Sequence, residues 1–426
     1  MQDVRVCVIG GGSVYTPELV EGFISRPGLP VREIVLMDVD EGRLKVVGGL
    51  AQRMVQAAGA GMDISLTTDL GEALEGASYV IAQLRVGGTS ARIQDEKIPL
   101  RFGIIGQETT GPGGFSCALR TIPVMLKIAQ EIEKLAPDAL LINFANPAGL
   151  VTEALLRHTR ARAVGLCNVP LGMRHMIAGW LEESPQDLEL FYSGLNHLSW
   201  VFGVRARGED LTEKALSCAV ERARKGEFPF SPELLEVLGA IPSYYLRYYY
   251  HHDEVLEKQL RARRTRGEEV LELEAELLRL YADSSLSEKP ELLGRRGGAH
   301  YSLAAVGLIA ALHRGEGEVH ILNVRNRGAI PDLPDDCVVE VPARVGREGI
   351  EPLPQGPLPP GIRGLVQAVK AYEELTVKAA VEGDARAALQ ALLAHPLVPS
   401  FSVAKGLWTA IKKANRAYLP QFGGGP

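Results

Sequence analysis

The chain has 426 residues, enough for two or three domains of ordinary size. Hydrophobic residues make up 46% and charged residues 23%, a globular balance that excludes a disordered chain. Lys plus Arg (46) against Asp plus Glu (52) leaves a net charge of −6, so the chain has no general attraction for nucleic acid or membrane lipid and function must lie in a local site. No apolar run approaches the ~18 residues of a membrane span. Met1-Gln2-Asp3 leads straight into an apolar run with no basic region or cleavage site, so export is not expected. Five scattered cysteines, an odd number, argue against a disulfide framework and fit a reducing cytoplasm.

In chain order, Val4 to Ile9 reads as a strand closed by Gly10-Gly11-Gly12, and a helix follows from about Pro17. Ile34 to Met37 is the next strand, ending at Asp38; Asp63 to Thr67, Tyr79 to Ala82, Leu140 to Phe144 and Ala163 to Leu166 continue the series. Short strands alternating with helices imply a Rossmann-type, doubly wound parallel α/β sheet over residues 1–170, with ligands at the carboxyl ends of its strands. Beyond residue 170 the rhythm changes, and 171–426 is expected to form a second, mixed α+β domain for substrate, metal and oligomerisation. Helical periodicity marks Pro232 to Leu238, Asp253 to Asp283 and Leu365 to Leu393, whereas Val319 to Val324 and Cys337 to Val341 look like strands. Gly106 to Gly114 is too glycine-rich for a helix and reads as a loop over a ligand or a partner chain.

The turn Gly10-Gly11-Gly12-Ser13 offers backbone N–H groups and a helix N-terminus to a pyrophosphate, although Tyr15 stands where a third glycine is usual. Asp38 closes the second strand, where an acidic residue holds ribose hydroxyls; no Arg follows it, which favours NAD over NADP. Cys167 ends the last strand of the first region, and His197 lies in Gly194-Leu195-Asn196-His197. Together they could hold a divalent cation completed by substrate oxygens and water, yet each alone reads as a buried core residue, and His175, His300, His251 and His252 are equally eligible by composition. Five tyrosines crowd into Tyr244 to Tyr250; one of them could act as a base only if a nearby cation lowered its pKa from ~10. Arg92 and Arg266 are candidate anion clamps.

These pieces, taken in order, resemble glycoside hydrolase family 4, the NAD-dependent glycosidases. The resemblance runs nearly end to end: Ile9 to Ser13 with Tyr15-Thr16-Pro17-Glu18, Gly88 to Glu96, Gly106 to Gly114, Asn146-Pro147-Ala148-Gly149, Cys167-Asn168-Val169-Pro170, Gly194 to His197, Tyr245-Leu246, Thr265-Arg266 and Tyr418-Leu419-Pro420. It implies a fold related to lactate and malate dehydrogenases, bound NAD, Mn2+ or another divalent metal, and a homodimer or homotetramer. It assigns Cys167 and His197 as metal ligands, Tyr245 as the base, Arg266 and Arg92 as phosphate contacts and Asn146 as a sugar contact. Tyr244, beside Tyr245, leaves the base open by one residue. Asn168 stands where relatives acting on 6-phospho-α-glucosides carry an acidic residue, so the chain looks like the branch that cleaves 6-phospho-β-glucosides such as cellobiose-6-phosphate.

The implied chemistry replaces the usual pair of carboxylates. NAD+ takes the hydride from the sugar's C3, and the C3 ketone acidifies the C2 hydrogen. A metal steadies the enediolate, the base removes the C2 proton and the aglycone leaves C1. Water then adds and NADH returns the hydride. The competing readings are a 6-phospho-α-glucosidase or α-galactosidase of the same family, a 2-hydroxy-acid dehydrogenase on the same fold, and a non-catalytic NAD-binding sensor.

Overall fold

A computed structural model describes residues 4–297 and 301–423; His300 and Met1-Gln2-Asp3 lie outside the described residues. Thirteen strands are found among the described residues. Val4–Ile9 (β1), Val31–Met37 (β2), Asp63–Thr67 (β3), Tyr79–Ala82 (β4), Leu140–Asn143 (β5) and Arg162–Gly165 (β6) fall where the apolar runs place them. Leu188–Leu195 (β7), Leu198–Ala206 (β8), Glu209–Asp210 (β9) and Ile241–Pro242 (β10) come next, followed by Glu316–Arg325 (β11), Val338–Gly346 (β12) and Gly349–Pro352 (β13).

The main sheet runs β13-β12-β11-β6-β5-β4-β1-β2-β3. From β3 to β6 its neighbours are parallel, and β11 to β13 continue it antiparallel on the β6 edge. The order 3-2-1-4-5-6 is that of dinucleotide-binding sheets. Buried on both faces, β1 and β5 are almost continuously apolar, as parallel strands must be. The order reverses between β1 and β4, which opens a crevice at their carboxyl ends. Gln83, just past β4, stitches that crevice by donating to Gly10 O at 3.1 Å and to Thr16 Oγ1 at 2.9 Å.

The join between β6 and β11 is narrow. Gly165 pairs with Asn323, and a Cβ on Gly165 would meet Thr152 Oγ1 at 2.2 Å and Asn323 Cβ at 2.8 Å. A second sheet, β10-β8-β7 with β9 on β8, packs its β7 against β12. The helical patterns hold with two breaks. Residues 253–283 divide into helices His252–Arg261 and Arg266–Tyr281, and residues 365–393 divide at Gly383, a left-handed cap with φ +68°. The second member of the first pair starts on a capping box between Thr265 and Glu268, and its buried Tyr281 donates to Val14 O at 2.8 Å, bracing the glycine turn.

Gly106 to Gly114 is only half a loop: Gly111 to Gly114 form the first turn of a helix, Gly111–Leu135. The glycines are there for closeness rather than looseness. A Cβ at Gly113 would meet Gln107 O at 2.1 Å and Asp95 O at 2.6 Å, so only glycine lets this turn pack so near the preceding loop. No helix among the described residues is long and apolar enough to cross a membrane, and all five cysteines are free.

Candidate active site

The loops that leave the carboxyl ends of the strands carry most of the candidate residues. At the end of β1, Gly10 has φ +88°, and Gly10 and Gly11 both donate to Met37 O. Cβ atoms at Gly10 and Gly11 would lie 2.9 Å from Leu84 N and 2.8 Å from Leu36 Cβ, so the turn lies flat on its neighbouring strands. Asp38 receives Gly12 N–H at 2.9 Å and Asp40 N–H at 3.0 Å, which fixes its carboxylate beside the turn. Ser13 Oγ accepts from Tyr15 N.

Cys167 and His197 are brought together from opposite sides. Cys167 follows β6, where its Sγ accepts from Val169 N; His197 is the second residue of the Asn196-His197 connection of the β7–β8 hairpin and has φ +64°, a strained value for a residue with a Cβ. Cys167 Sγ stands 3.5 Å from His197 Nε2. The other ring nitrogen, Nδ1, meets Thr109 Oγ1 at 2.9 Å. Thr109 donates its only hydroxyl hydrogen to Gln107 Oε1 at 2.9 Å, and that oxygen also accepts the N–H groups of Thr109 and Thr110. Thr109 must therefore accept from Nδ1–H, which leaves a bare lone pair on Nε2 facing the thiol. Burial lowers the His197 pKa to about 3 and raises that of Cys167 to about 12, so without other charge both are neutral.

Tyr245 lies flat on His197, with ring centroids 3.6 Å apart and planes 3° from parallel. Desolvation holds its phenol well above its usual value, opposed by the positive charge of Arg92. Tyr244 points elsewhere: it is exposed, bonded to Arg247 and covered by that guanidinium at 3.7 Å. Of the two tyrosines, Tyr245 is the one that reaches the Cys–His pair. Asn146, beside Pro147, accepts the Cys117 thiol at its carbonyl, and Asn168 begins the helix Val169–Leu181.

Arg92 sits half-buried in a charge lattice, its Nε on Glu96 at 2.9 Å and its Nη1 on Glu108 at 3.0 Å. Glu108 also pairs with Arg85, and these arginines with Arg296 lower its pKa to about 2. Arg266 keeps separate partners: its exposed guanidinium bonds Glu269 and the carbonyls of Arg295 and Arg296. The two arginines are linked through Glu96, which accepts Gly267 N–H at 2.7 Å. His251 and His252, eligible by composition, bond Ser231 N and Asp253 instead.

Sequence reasoning missed Gln107 and Thr109, which set the His197 tautomer, and Glu340. This carboxylate on β12 is almost fully buried and accepts from Tyr192, Asn196 and Asn323 at 2.7, 2.9 and 3.1 Å; burial raises its pKa. Nothing local marks it, because its partners come from 17 to 148 residues away.

Residues 5–183 match the family 4 glycosyl hydrolases, and residues 192–398 match the family 4 C-terminal domain. The chain belongs to glycosyl hydrolase family 4. It is 45% identical to a probable 6-phospho-beta-glucosidase of Bacillus subtilis over 98% of each chain. The 6-phospho-beta glucosidase of Thermotoga maritima, solved with manganese, NAD+ and glucose-6-phosphate, is 38% identical and superposes with a TM-score of 0.92, covering 97% of this chain and 99% of that one. At the level of fold alone, malate dehydrogenase of Plasmodium falciparum superposes at a TM-score of 0.53 with 14% identity, covering 89% of this chain and 98% of that one. The Rossmann-type sheet that the sequence implies is therefore found, and the likeness to malate dehydrogenase is one of fold.

Proposed function

We propose that this family 4 enzyme hydrolyses 6-phospho-β-glucosides, such as cellobiose-6-phosphate, using bound NAD and a divalent metal, Mn2+ in the first instance. The observation that carries this is the Cys167–His197 pair with Tyr245 stacked upon it. A thiolate and a neutral imidazole that share one divalent transition metal must converge closely on a common point. The observed 3.5 Å, with a bare Nε2, fits such an ion. No cluster of three or more acidic, His or Cys ligands occurs among the described residues, so the remaining positions belong to substrate oxygens and water. The flat glycine turn and the pinned Asp38 fit a dinucleotide in the same way.

In this reading Gly10, Gly11, Gly12 and Ser13 hold the pyrophosphate and Asp38 the ribose. Arg92 and Arg266 take the substrate phosphate, while Asn146 and Asn168 position the sugar hydroxyls. When bound, NAD supplies a reversible hydride acceptor at C3, and the metal supplies positive charge for the C2 and C3 oxygens and the Tyr245 phenol. With C3 at the ketone level, Tyr245 removes the C2 proton at its phenolic oxygen and the aglycone leaves C1. Asn168 favours β-linked substrates, because an amide at that position cannot donate a proton as an acidic residue could. Residues 1–170 then serve the nucleotide and bring Arg92, Asn146, Cys167 and Asn168 to the shared site, while 171–426 add His197, Tyr245 and Arg266. A thiol ligand suits a reducing cytoplasm, and the family resemblance carries a homodimer or homotetramer with it.

Purified enzyme given cellobiose-6-phosphate, NAD+, Mn2+ and a thiol should release glucose and glucose-6-phosphate, lose activity to a chelator and recover it with Mn2+. Substrate deuterated at C2 should lose its label to solvent during turnover. Label that survives cleavage would refute the mechanism.

A further inference from the structure

A small chamber with about 20 Å³ open to a water lies against the Asn196–His197 turn. One water needs roughly 10–15 Å³ on that measure. Thr110, Tyr372, Glu373 and His395 form part of the wall, and each is more than nine-tenths buried. Two buried atoms of the wall, Thr110 Oγ1 and Asn196 Oδ1, have no protein partner. Asn196 cannot reverse its amide to find one, because Nδ2 donates to Glu340 at 2.9 Å. Thr110 stands at the N-cap of Gly111–Leu135, yet its side chain makes no capping bond. Gly149 keeps the neighbourhood open: a Cβ there would lie 3.1 Å from Asn196 Cβ and 3.6 Å from Glu373 Oε1. The second oxygen of Glu373, Oε2, is taken by Lys370. Leaving a buried polar atom unpaired costs about 1–3 kcal/mol, and here a possible donor and an acceptor without partners belong to residues that wall one space of the right size.

We propose that this chamber is a built site for one water molecule, which accepts from Thr110 Oγ1 and donates to Asn196 Oδ1 and Glu373 Oε1. The water ties the strained turn carrying His197 to the helices Gly111–Leu135 and Pro360–Glu382, and so positions His197 for the divalent ion. The positioning role rests on the metal reading given above; the water itself does not. Two measurements test this: a crystal structure of the Mn2+- and NAD-loaded enzyme fine enough to place waters, and Mn2+ titration of the metal-free enzyme followed by electron paramagnetic resonance. Wild type and Thr110→Ser should show the three-bonded water and bind Mn2+ alike. Thr110→Val, of equal shape without the hydroxyl, should lose the water and bind Mn2+ about tenfold more weakly, with NAD affinity unchanged. A wild-type chamber without density, or holding an ion, overturns the water site. Equal Mn2+ affinity in Thr110→Val, or equal loss in Thr110→Ser, overturns the positioning role. A wild type that binds no Mn2+ overturns the metal reading instead, and the density alone then decides the site.

Discussion

Two neighbouring parts of the site keep their polar atoms in opposite ways. Around Cys167, His197 and Tyr245, burial strips charge away: the imidazole, the thiol and the phenol are all pushed toward their neutral forms. Around Glu108 every charge is kept and matched, by Arg85 and Arg92 close by and by Arg296. The boundary between the two is a single peptide bond, since Glu108 faces the arginines while Thr109 holds His197. In the proposed reading the first region receives a cation and does so best when neutral, because a resident ammonium or guanidinium would repel it. The second receives a phosphate, for which it must store cations, and cations out of water need a carboxylate to hold them.

The largest test of this contrast is Tyr245→Phe. It keeps the ring on His197 but removes the phenolic oxygen, so turnover should fall by about 10²–10⁴-fold while unfolding free energy stays within about 1 kcal/mol of wild type; paired kinetics and urea denaturation would show a merely structural role if the two fell together. Glu108→Gln attacks the other side. It leaves the half-buried Arg85 without its carboxylate partner, and stability should fall by about 1–3 kcal/mol in urea titrations; a neutral outcome would mean that water already shares that charge.

Acid should sharpen the contrast further. His395, buried near the turn, has its pKa lowered to about 3, so its contribution to stability is present above 6.5 and lost as pH falls toward 3. Glu373 has the opposite sign: burial raises its pKa to about 7, so its contribution is present below 4.5 and lost as pH rises through 7. His197, held down to about 3 in the same way, adds a second slope of the histidine sign, so melting temperatures of the metal-free enzyme should fall as pH drops from about 6.5 to 4.5, with Glu373 opposing. Glu373→Gln should leave only the loss on the acid side. The smallest structural effect belongs to Arg266→Ala, which removes an exposed ion pair and should cost less than about 1 kcal/mol of stability. Its KM for phosphorylated substrates should still rise about 10- to 100-fold relative to unphosphorylated ones, and equal rises would make it structural.

Much of this was readable from sequence because it is local. Six parallel strands, the glycine turn and Asp38 announce themselves within short windows of residues, through apolar runs closed by glycine or a polar residue. Cys167, His197 and Tyr245 could be named by resemblance, yet nothing nearby in the chain says that they meet. The hairpin that carries His197 alternates only loosely, and β7 and β8 escaped notice although Gly194 punctuates their turn. Glycine misled at Gly111 to Gly114, where it permits a close-packed helix start rather than a loop. Gln107, Thr109 and Glu340 were illegible because their meaning depends on partners that only the folded chain supplies.

The way β11 joins β6 also sets a timetable for synthesis. Until residues 316–325 emerge, the β6 side of the parallel sheet is a raw edge with unpaired backbone groups. At roughly 5–20 residues per second, the stretch between those strands takes about 8–30 s to translate. For that interval the nascent chain offers a template for unwanted strand pairing, so slowing the ribosome between these segments should raise aggregation more than slowing it after β13.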